Sequence, residues 1–159
     1  MYKIGFGYDI HRLEAGRRLV LGGTGLPFGA GLLGHSDGDA LVHAVIDALL
    51  GAIGEGDIGT HFPDTDPRTA GARSTDLLGT VMALVRARGA EIVNVDAVIV
   101  AEEPKMGPHI PAMKAALSPI LGVPESSLGL KAKTNEGLGP VGEKRAIACY
   151  AIALIKLPG

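Results

Sequence analysis

The chain has 159 residues, which fits one domain, and its 15 basic and 17 acidic side chains leave a net charge of −2. It has neither a basic tract nor a basic stripe interleaved with aromatic residues, so nothing in the charge pattern supports nucleic-acid binding. Hydrophobic residues make up 47% of the chain. No apolar run approaches the roughly 18–20 residues that a membrane-spanning helix needs, so we expect neither nucleic acid nor a membrane as a partner.

The core is expected to contain small aliphatic side chains, because aromatic residues supply only 4% of the chain and tryptophan is absent. Such a core favours closely packed elements and contacts between subunits. The single cysteine, Cys149, lies in the apolar stretch AIACYAIALI. This setting predicts a small buried hydrophobe rather than a reactive thiol and fits a reducing compartment. No charged and then apolar leader opens the chain, so we expect a cytoplasmic protein.

Two strands and an irregular segment are predicted at the N-terminal end. Residues 2–9 (YKIGFGYD) alternate and residues 18–22 (RLVLG) are rich in β-formers, so both predict strands, separated by a charged turn from Arg12 to Arg17. The segment 23–35 is too rich in glycine and proline for regular structure. Such flexibility is common where backbone approaches a ligand closely.

The strongest helix signal follows this segment. Ser36 and Asp39 resemble an acidic form of the capping box, and the fifteen residues after Asp39 (ALVHAVIDALLGAIG) carry apolar side chains at helical spacing. On this helix His43 lies one turn from both Asp39 and Asp47. We therefore expect one of these two carboxylates to orient the imidazole ring through its second nitrogen.

The remaining elements alternate between helix and strand. After a loop at 54–68 that is dense in Asp, Gly and Pro, the patterns predict a helix at 73–89, a strand at 92–101, a helix at 108–121, a strand at 127–134 and a closing strand at 145–157. This order is typical of an α/β domain whose helices cover one face of a sheet. The apolar strands also need their second face buried, which favours a contact between the sheets of neighbouring subunits. Parallel and mixed sheets both fit the pattern.

A possible metal site is formed by Asp9, His11 and His43. Asp9 and His11 are two residues apart at the end of a predicted strand, so their side chains project to the same side. Two imidazoles and a carboxylate are a set with which a catalytic zinc keeps its fourth position open for water or substrate. A second interpretation stays open, because polar residues at a strand end often only bond the backbone of a turn.

Two further segments carry groups suited to an anionic substrate. His35 and Ser36 stand at the predicted helix start, where free N–H groups and the helix dipole favour phosphate, although Ser36 also fits an ordinary N-cap. The strand end at 131–134 (KAKT) precedes Glu136, which combines phosphate donors with a carboxylate suited to Mg²⁺. Alternating lysines on an edge strand also fit a solvated face.

These residues lie in five ordered segments that resemble the 2-C-methyl-D-erythritol 2,4-cyclodiphosphate synthase family. The segments are GYDIHRL at 7–13, GHSDGDALVHAVIDALLGA at 34–52, GDIGTHFPDTDP at 56–67, NVDAVIVAEEPKMGPHIPAM at 94–113 and KTNEGLG at 133–139. The likeness runs nearly end to end, and five blocks of this length in one order are far more specific than a lone short motif.

The resemblance implies a fold and a reaction. The fold is a single domain over residues 1–159, with a mostly four-stranded mixed sheet that helices cover on one face and that packs in a homotrimer on the other. Active sites lie between subunits, each with zinc and a second divalent cation, Mg²⁺ or Mn²⁺. The substrate is 4-diphosphocytidyl-2-C-methyl-D-erythritol 2-phosphate, whose 2-phosphate attacks the β-phosphate in line so that CMP leaves. Positioning and charge neutralisation should provide most of the catalysis in this step of the non-mevalonate isoprenoid pathway.

The resemblance also implies which residues hold the metals. By position, Asp9, His11 and His43 match the zinc ligands, and Glu136 matches the ligand of Mg²⁺ or Mn²⁺ that bridges the α- and β-phosphates. Zinc would polarise the diphosphate as a Lewis acid, so no protein nucleophile is needed.

Other positions match substrate contacts. His35 and Thr134 match residues that steady the transition state. The segment matching the methylerythritol site comprises Asp57, Ile58, Gly59, Phe62, Pro63, Asp64, Thr65 and Asp66. The segment matching the cytidine pocket comprises Ala101, Glu102, Glu103, Pro104, Lys105, Met106 and Gly107. Further substrate contacts are implied for Asp9, His11, His35, Ser36, Lys133, Thr134, Asn135 and Glu136.

The chain departs from the family pattern after GLG. Pro140 stands where a phenylalanine is common, and Glu143 stands at the arginine of the usual Gly-Arg-Gly segment. That segment lines the axial cavity of the trimer, where some members hold an isoprenoid diphosphate, so these changes count against such binding here. Lys144 and Arg145 are the nearby cations that could substitute for the arginine. Lys133 often corresponds to a threonine in relatives and remains a phosphate partner.

Two other functions compete with the cyclisation. In a zinc phosphohydrolase, the open metal position would activate water, but the EEPKMGPH block is typical of a cytidine pocket. A non-catalytic trimeric scaffold or isoprenoid-binding module would have no need of Asp9, His11, His43 and Glu136, because burying a polar metal site is costly.

Overall fold

A computed structural model describes residues 1–159, which form a five-stranded mixed sheet, a separate two-stranded hairpin and five helices. The strands are β1 (Tyr2–Ala15), β2 (Leu19–Leu21), β3 (Thr24–Leu26), β4 (Ala30–Leu32), β5 (Glu91–Val100), β6 (Leu128–Lys133) and β7 (Ala146–Lys156). The helices are α1 (Ala40–Ile53), α2 (Ile58–His61), α3 (Ser74–Ala87), α4 (Ile110–Leu121) and α5 (Gly139–Gly142). None of the helices is both long and apolar enough to cross a bilayer.

The sheet has the strand order β4-β1-β7-β5-β6. The long strand β7 lies between β1 and β5 and runs antiparallel to both, whereas β5 and β6 are parallel. The parallel pair is joined through α4, since parallel neighbours need a long crossover. The predicted mixed sheet is confirmed, with four long strands and the short β4 as a fifth.

Helix α1 packs directly against β1 because glycine leaves room for its backbone. A Cβ atom built on Gly5 would lie 1.8 Å from the carbonyl oxygen of Ala48, and one built on Gly7 would lie 1.9 Å from that of Ala44. Residues two apart on a strand share a face, so Asp9 and His11 continue the same face beyond the two glycines. The close approach therefore brings the polar end of β1 against the start of α1.

The N-terminal strand is longer than the sequence predicts. The predicted charged turn from Arg12 to Arg17 is wrong for its first residues, because Arg12 pairs with Ala146 and Leu13 pairs with Leu32. The predicted irregular segment 23–35 also contains β3 and β4. Pairing with β7 and β4 supplies hydrogen-bond partners for the backbone of residues that the local sequence assigns to a turn.

Asp39, and not Ser36, caps helix α1. Its side chain accepts the N–H of Val42, and the helix begins at Ala40. Ser36 therefore lies upstream of the helix, and its predicted place at the helix start is wrong. The predicted loop at 54–68 contains the short helix α2, which Asp57 caps by accepting the N–H of Thr60.

The core consists mainly of aliphatic side chains from α1, α3, α4 and the helix-facing side of the sheet. Cys149 on β7 is fully buried in this core, as predicted. Burial raises the pKa of its thiol well above the ordinary value.

The second face of the sheet is exposed, and it is apolar along β1 and β7. Along β1 the residues that alternate with Gly5 and Gly7 are large hydrophobics, with Ile4 69% and Phe6 60% exposed. On the adjacent β7, Ile152 lies opposite Phe6 and Tyr150 lies opposite Tyr8. A patch of this kind on one side of a sheet marks a surface that another molecule covers.

Candidate active site

The candidate metal centre lies where β1 meets α1. The Nε2 atom of His11 is 2.8 Å from a carboxylate oxygen of Asp9, and the Nδ1 atom of His43 is 3.0 Å from the same oxygen. The two ring nitrogens are 3.2 Å apart. The three predicted zinc ligands are thus brought together although 32 residues separate His11 from His43.

The spacing of the three donor atoms fits a tetrahedral metal. Bonds of about 2.0–2.1 Å to zinc would place tetrahedral ligands roughly 3.3 Å apart, and all three ligand atoms lie within 4.8 Å of one another. A carboxylate and two imidazoles are suitable zinc ligands, and a fourth position would stay free for substrate. The residues therefore fit the metal that the sequence predicts.

The protein backbone orients the ring of His11. Its Nδ1 atom is 2.7 Å from the carbonyl oxygen of Leu33. A carbonyl only accepts, so Nδ1 carries the proton and donates it, which leaves the lone pair of Nε2 directed toward the centre. Leu33 follows β4, which pairs with the end of β1.

The ring of His43 is oriented by hydroxyl groups. Its Nε2 atom lies 3.1 Å from Oγ of Ser36 and 2.9 Å from Oγ of Ser74. The prediction that Asp39 or Asp47 orients this ring is wrong. The carboxylate of Asp39 accepts N–H groups of the β2–β3 turn and of α1, and that of Asp47 accepts the first N–H of α2.

The centre favours a charged carboxylate beside its imidazoles. Burial would raise the pKa of Asp9, but hydrogen bonds and charge interactions with His11 and His43 outweigh burial and lower it to about 2. Burial alone would lower the pKa of His11, yet the carboxylate of Asp9 and the carbonyl of Leu33 raise it. The lowered pKa keeps Asp9 in the charged form that a metal ligand requires.

A cavity of about 410 Å³ opens from the metal centre. Six further predicted site residues line it: His35, Ser36, Ile58, Gly59, Phe62 and Asp64. Four further lining residues were missed, because nothing in their local sequence distinguishes them from ordinary loop or helix residues: Leu33, Gly34, Thr69 and Leu77. The cavity therefore joins the candidate metal centre to half of the residues in the predicted methylerythritol segment.

The other residues of that segment support the loop. Asp57 caps α2, and the hydroxyl and N–H of Thr60 lower its pKa. The guanidinium of Arg68 lowers the pKa of Asp66 to about 2. The backbone carbonyl of Asp66 lies 3.1 Å from Nε2 of His35, which ties the loop to the cavity wall. Pro63 and Thr65 belong to the same loop but do not line the cavity.

A second cavity, of about 520 Å³, collects most of the predicted cytidine segment. Its predicted lining residues are Ala101, Pro104, Lys105, Met106, Gly107, Lys133 and Thr134. Lys131 lines it too, and its ammonium group is 2.5 Å from the carboxylate of Asp96. The cavity combines an apolar floor with cationic and hydroxyl groups.

Two glutamates of the predicted cytidine segment, Glu102 and Glu103, do not line this cavity and bind neighbouring loops instead. The carboxylate of Glu102 accepts the N–H of Asn135 at 2.8 Å and that of Gly137 at 3.3 Å. Glu103 is paired with Lys144 at 2.8 Å, and this cation lowers the pKa of Glu103. Glu102 thus holds the 134–137 loop beside the second cavity.

The predicted ligand of the second metal, Glu136, lies on that loop. It is exposed, has φ of +53°, and stands 3.4 Å from the hydroxyl of Thr134. The side chain of Asn135 donates to the carbonyl of Leu138 at 2.7 Å. Glu136 is not part of the metal-ligand cluster, and no residue lines both cavities. Within one chain, the two predicted metal positions belong to separate sites.

The segment that departs from the family pattern forms α5 and the turn after it. Pro140 occupies the first turn of α5. The two cations that could replace the missing arginine are already paired, Arg145 with Glu143 and Lys144 with Glu103.

Comparison with known proteins agrees with this arrangement. A sequence model described as the YgbB family matches residues 2–156. A protein of Gloeobacter violaceus named 2-C-methyl-D-erythritol 2,4-cyclodiphosphate synthase is 57% identical over 154 residues, covering 97% of this chain and 94% of the relative. One of the same name from Symbiobacterium thermophilum is 56% identical over 152 residues, covering 96% and 97%.

A solved structure shares the fold. It is a 2C-methyl-D-erythritol-2,4-cyclodiphosphate synthase in a form bound to CDP, with a TM-score of 0.90 and 46% identity, and the match covers 97% of this chain and all of that one. Sequence and fold agree along nearly the whole length, and the chain belongs to the YgbB family, whose curated relatives are 2-C-methyl-D-erythritol 2,4-cyclodiphosphate synthases.

Proposed function

We propose that this chain is a lyase that converts 4-diphosphocytidyl-2-C-methyl-D-erythritol 2-phosphate into 2-C-methyl-D-erythritol 2,4-cyclodiphosphate and CMP. An oxygen of the 2-phosphate attacks the β-phosphorus, and the bond from that phosphorus to the bridging oxygen breaks, so that CMP leaves with the electron pair. The reaction is intramolecular, and holding the two phosphates together removes much of its entropic cost.

The observation that carries this proposal is the metal centre at the mouth of a cavity whose walls match the family's sugar-binding segment. Asp9, His11 and His43 would hold zinc, and Glu136 would hold Mg²⁺ or Mn²⁺. The bound cations would draw charge from the diphosphate oxygens. His35 lines the cavity, and its Nε2–H donates to the carbonyl of Asp66, which holds the ring where it would contact the substrate phosphates.

The cytidine diphosphate end of the substrate is assigned to the second cavity. Lys133 and Thr134 supply donors for phosphate there, and backbone groups between Ala101 and Gly107 can read the edge of the base. Support also comes from the related structure, which is described as bound to CDP.

We further propose a homotrimer in which each active site joins the metal cavity of one chain to the cytidine cavity of its neighbour. The two cavities share no lining residue. The exposed apolar face of β1 and β7 supplies a surface for association between copies. A complete site would then require at least two chains.

The decisive experiment follows the fate of the phosphates. The purified protein is incubated with the proposed substrate in water enriched in ¹⁸O, and the products are examined by ³¹P NMR and mass spectrometry. Cyclisation gives CMP and a cyclic diphosphate without ¹⁸O. An uncyclised product carrying ¹⁸O would identify a zinc phosphohydrolase instead, since only hydrolysis uses water as the nucleophile. Absence of any CMP would favour a non-catalytic scaffold.

A further inference from the structure

The second ring nitrogen of His43 faces a series of polar contacts that lies outside the candidate metal centre. Ser74, the first residue of α3, is fully buried, and its Oγ atom is 2.9 Å from Nε2 of His43. The same hydroxyl makes a short hydrogen bond to the carboxylate of Asp37. A chain of contacts therefore runs from Asp37 through Ser74 to His43 and on to Asp9.

The direction of each hydrogen bond in this series follows from the carboxylate of Asp37, where the series begins. A carboxylate only accepts, so the single proton of the Ser74 hydroxyl is donated to Asp37. Ser74 then has only lone pairs left for His43 and must accept from Nε2–H. A neutral imidazole with its proton on Nε2 has its lone pair on Nδ1, and Nδ1 is the atom that faces Asp9 and His11.

The carboxylate of Asp37 is itself fixed in place. It accepts the backbone N–H of Ser74 at 3.1 Å and that of Asp39 at 3.2 Å. It also lines a separate cavity with three arginines, Arg17, Arg18 and Arg73. These two backbone donors hold the carboxylate where it can accept the hydroxyl of Ser74.

We propose that Asp37 and Ser74 are positioning residues that hold His43 with its proton on Nε2, so that Nδ1 is always available to the metal. This inference rests on the proposed function, because it takes His43 as a zinc ligand. Partners of this kind, behind the metal ligands, typically change metal affinity by about 10–100-fold when they are removed. Asp37 and Ser74 touch neither cavity of the proposed substrate site.

The test compares zinc affinities of metal-free protein, measured by competition with a chromophoric chelator. Asp37→Asn should weaken zinc binding by about 10–100-fold, because its amide can donate to Ser74 and turn the hydroxyl proton toward Nε2. Asp76→Asn is the matched control, since it removes an exposed carboxylate from the first turn of the same helix and should leave zinc affinity unchanged. Equal affinities of both variants and the native protein would overturn the proposal.

A second pair of variants guards against misfolding of Asp37→Asn. Ser74→Ala removes the hydroxyl and should also weaken zinc binding, whereas Ser74→Thr keeps a hydroxyl and should bind more tightly than Ser74→Ala. If the alanine variant, folded by circular dichroism, binds zinc as tightly as the native protein, the positioning role is wrong.

NMR of the zinc-loaded protein labelled with ¹⁵N tests the positioning role separately from the proposed zinc site. In the native protein the Nε2–H proton of His43 should be hydrogen-bonded and slow to exchange, and in Asp37→Asn it should exchange faster. The Nδ1–H proton of His11, which donates to Leu33, is an internal control and should not change. A native protein that binds no zinc at His43 would refute the proposed metal site. If the native protein binds zinc but the exchange rate of the His43 Nε2–H proton is unchanged in Asp37→Asn, only the positioning role of Asp37 and Ser74 is refuted.

Discussion

At the scale of single residues, the two histidines of the candidate metal centre are oriented by different kinds of group. His11 is held by a backbone carbonyl, so its orientation depends on the end of β4 and survives any change of side chain at Leu33. His43 is held by the hydroxyls of Ser36 and Ser74, so its orientation depends on side chains. The two ligands should therefore respond differently to substitutions around them.

Replacing His43 with alanine should remove zinc and turnover together. Two ligands remain, which is too few for a stable catalytic site, so we expect less than about 1% of native activity. Helix α1 should still form, since alanine is the best helix former. Metal analysis of the purified variant, with circular dichroism as a check on folding, tests this.

His109→Ala is a control for that experiment. It removes an imidazole on the turn before α4, outside both cavities. We expect native zinc content there. Full activity of His43→Ala in chelator-treated buffer would show that the zinc ligands have been assigned wrongly.

Glu136→Gln should leave zinc in place and raise the requirement for Mg²⁺ or Mn²⁺. The amide keeps the shape of the side chain at a backbone position with φ of +53° but loses the charge. A lost charged ligand costs on the order of 1–3 kcal/mol, so half-maximal activity should need about tenfold more Mg²⁺. An unchanged Mg²⁺ dependence in a titration of initial rates would exclude Glu136 as the ligand.

The sequence predicted the candidate metal ligands but not the groups that orient them. Asp9 and His11 share a face by the alternation of a strand, which is a local rule. The carbonyl of Leu33 and the hydroxyl of Ser74 have no local signature, because they reach the histidines through tertiary packing. Asp39 and Asp47 were natural expectations at helical spacing, but backbone N–H groups of neighbouring loops occupy both carboxylates.

At the scale of elements, the pairing of β1 with α1 decides where the site lies. Most helices and strands after residue 36 follow their sequence patterns, because each carries its own hydrophobic periodicity. The extension of β1 to Ala15 does not, since it contains the charged residues Arg12 and Glu14 and gains its β structure from pairing with β7 and β4. Long-range pairing is the information that a local pattern lacks.

Gly7→Ala should destabilise the protein strongly. The added Cβ would meet the carbonyl oxygen of Ala44 at 1.9 Å, and backbone cannot turn aside as a flexible side chain can. Overpacking typically costs about 1–3 kcal/mol and occasionally more, and we expect the upper end of that range. Equilibrium unfolding in urea measures the loss.

Gly79→Ala makes the same chemical change where there is room. A Cβ on Gly79, an exposed position in α3, would meet no atom within 4 Å. Alanine is favoured over glycine in a helix by about 0.5–1 kcal/mol, so this variant should be slightly more stable than the native protein. Equal stability of both variants would mean that α1 does not lie against β1 at Gly7.

At the scale of the whole molecule, the sheet has one face covered by helices and one exposed face that is apolar along β1 and β7. Phe6→Asp places a charge in the middle of the exposed face, so it should convert a trimer of 16.3 kDa chains into monomers. Sedimentation velocity measures the change. Ala83→Asp, at an exposed position on α3, adds the same charge to the helical side and should leave the assembly intact. A native protein that sediments as a single chain would contradict the trimer.

A site shared between chains can be tested with two inactive variants. His43→Ala damages the metal cavity, whereas Thr134→Ala damages the cytidine cavity, and no residue lines both. If each active site takes one cavity from each of two neighbours, a mixed trimer contains some sites with both cavities intact. Refolding the two variants together should then restore part of the native activity, while each variant refolded alone stays inactive. If both cavities of one chain served the same site, every chain in the mixture would carry one defect, and no activity would return.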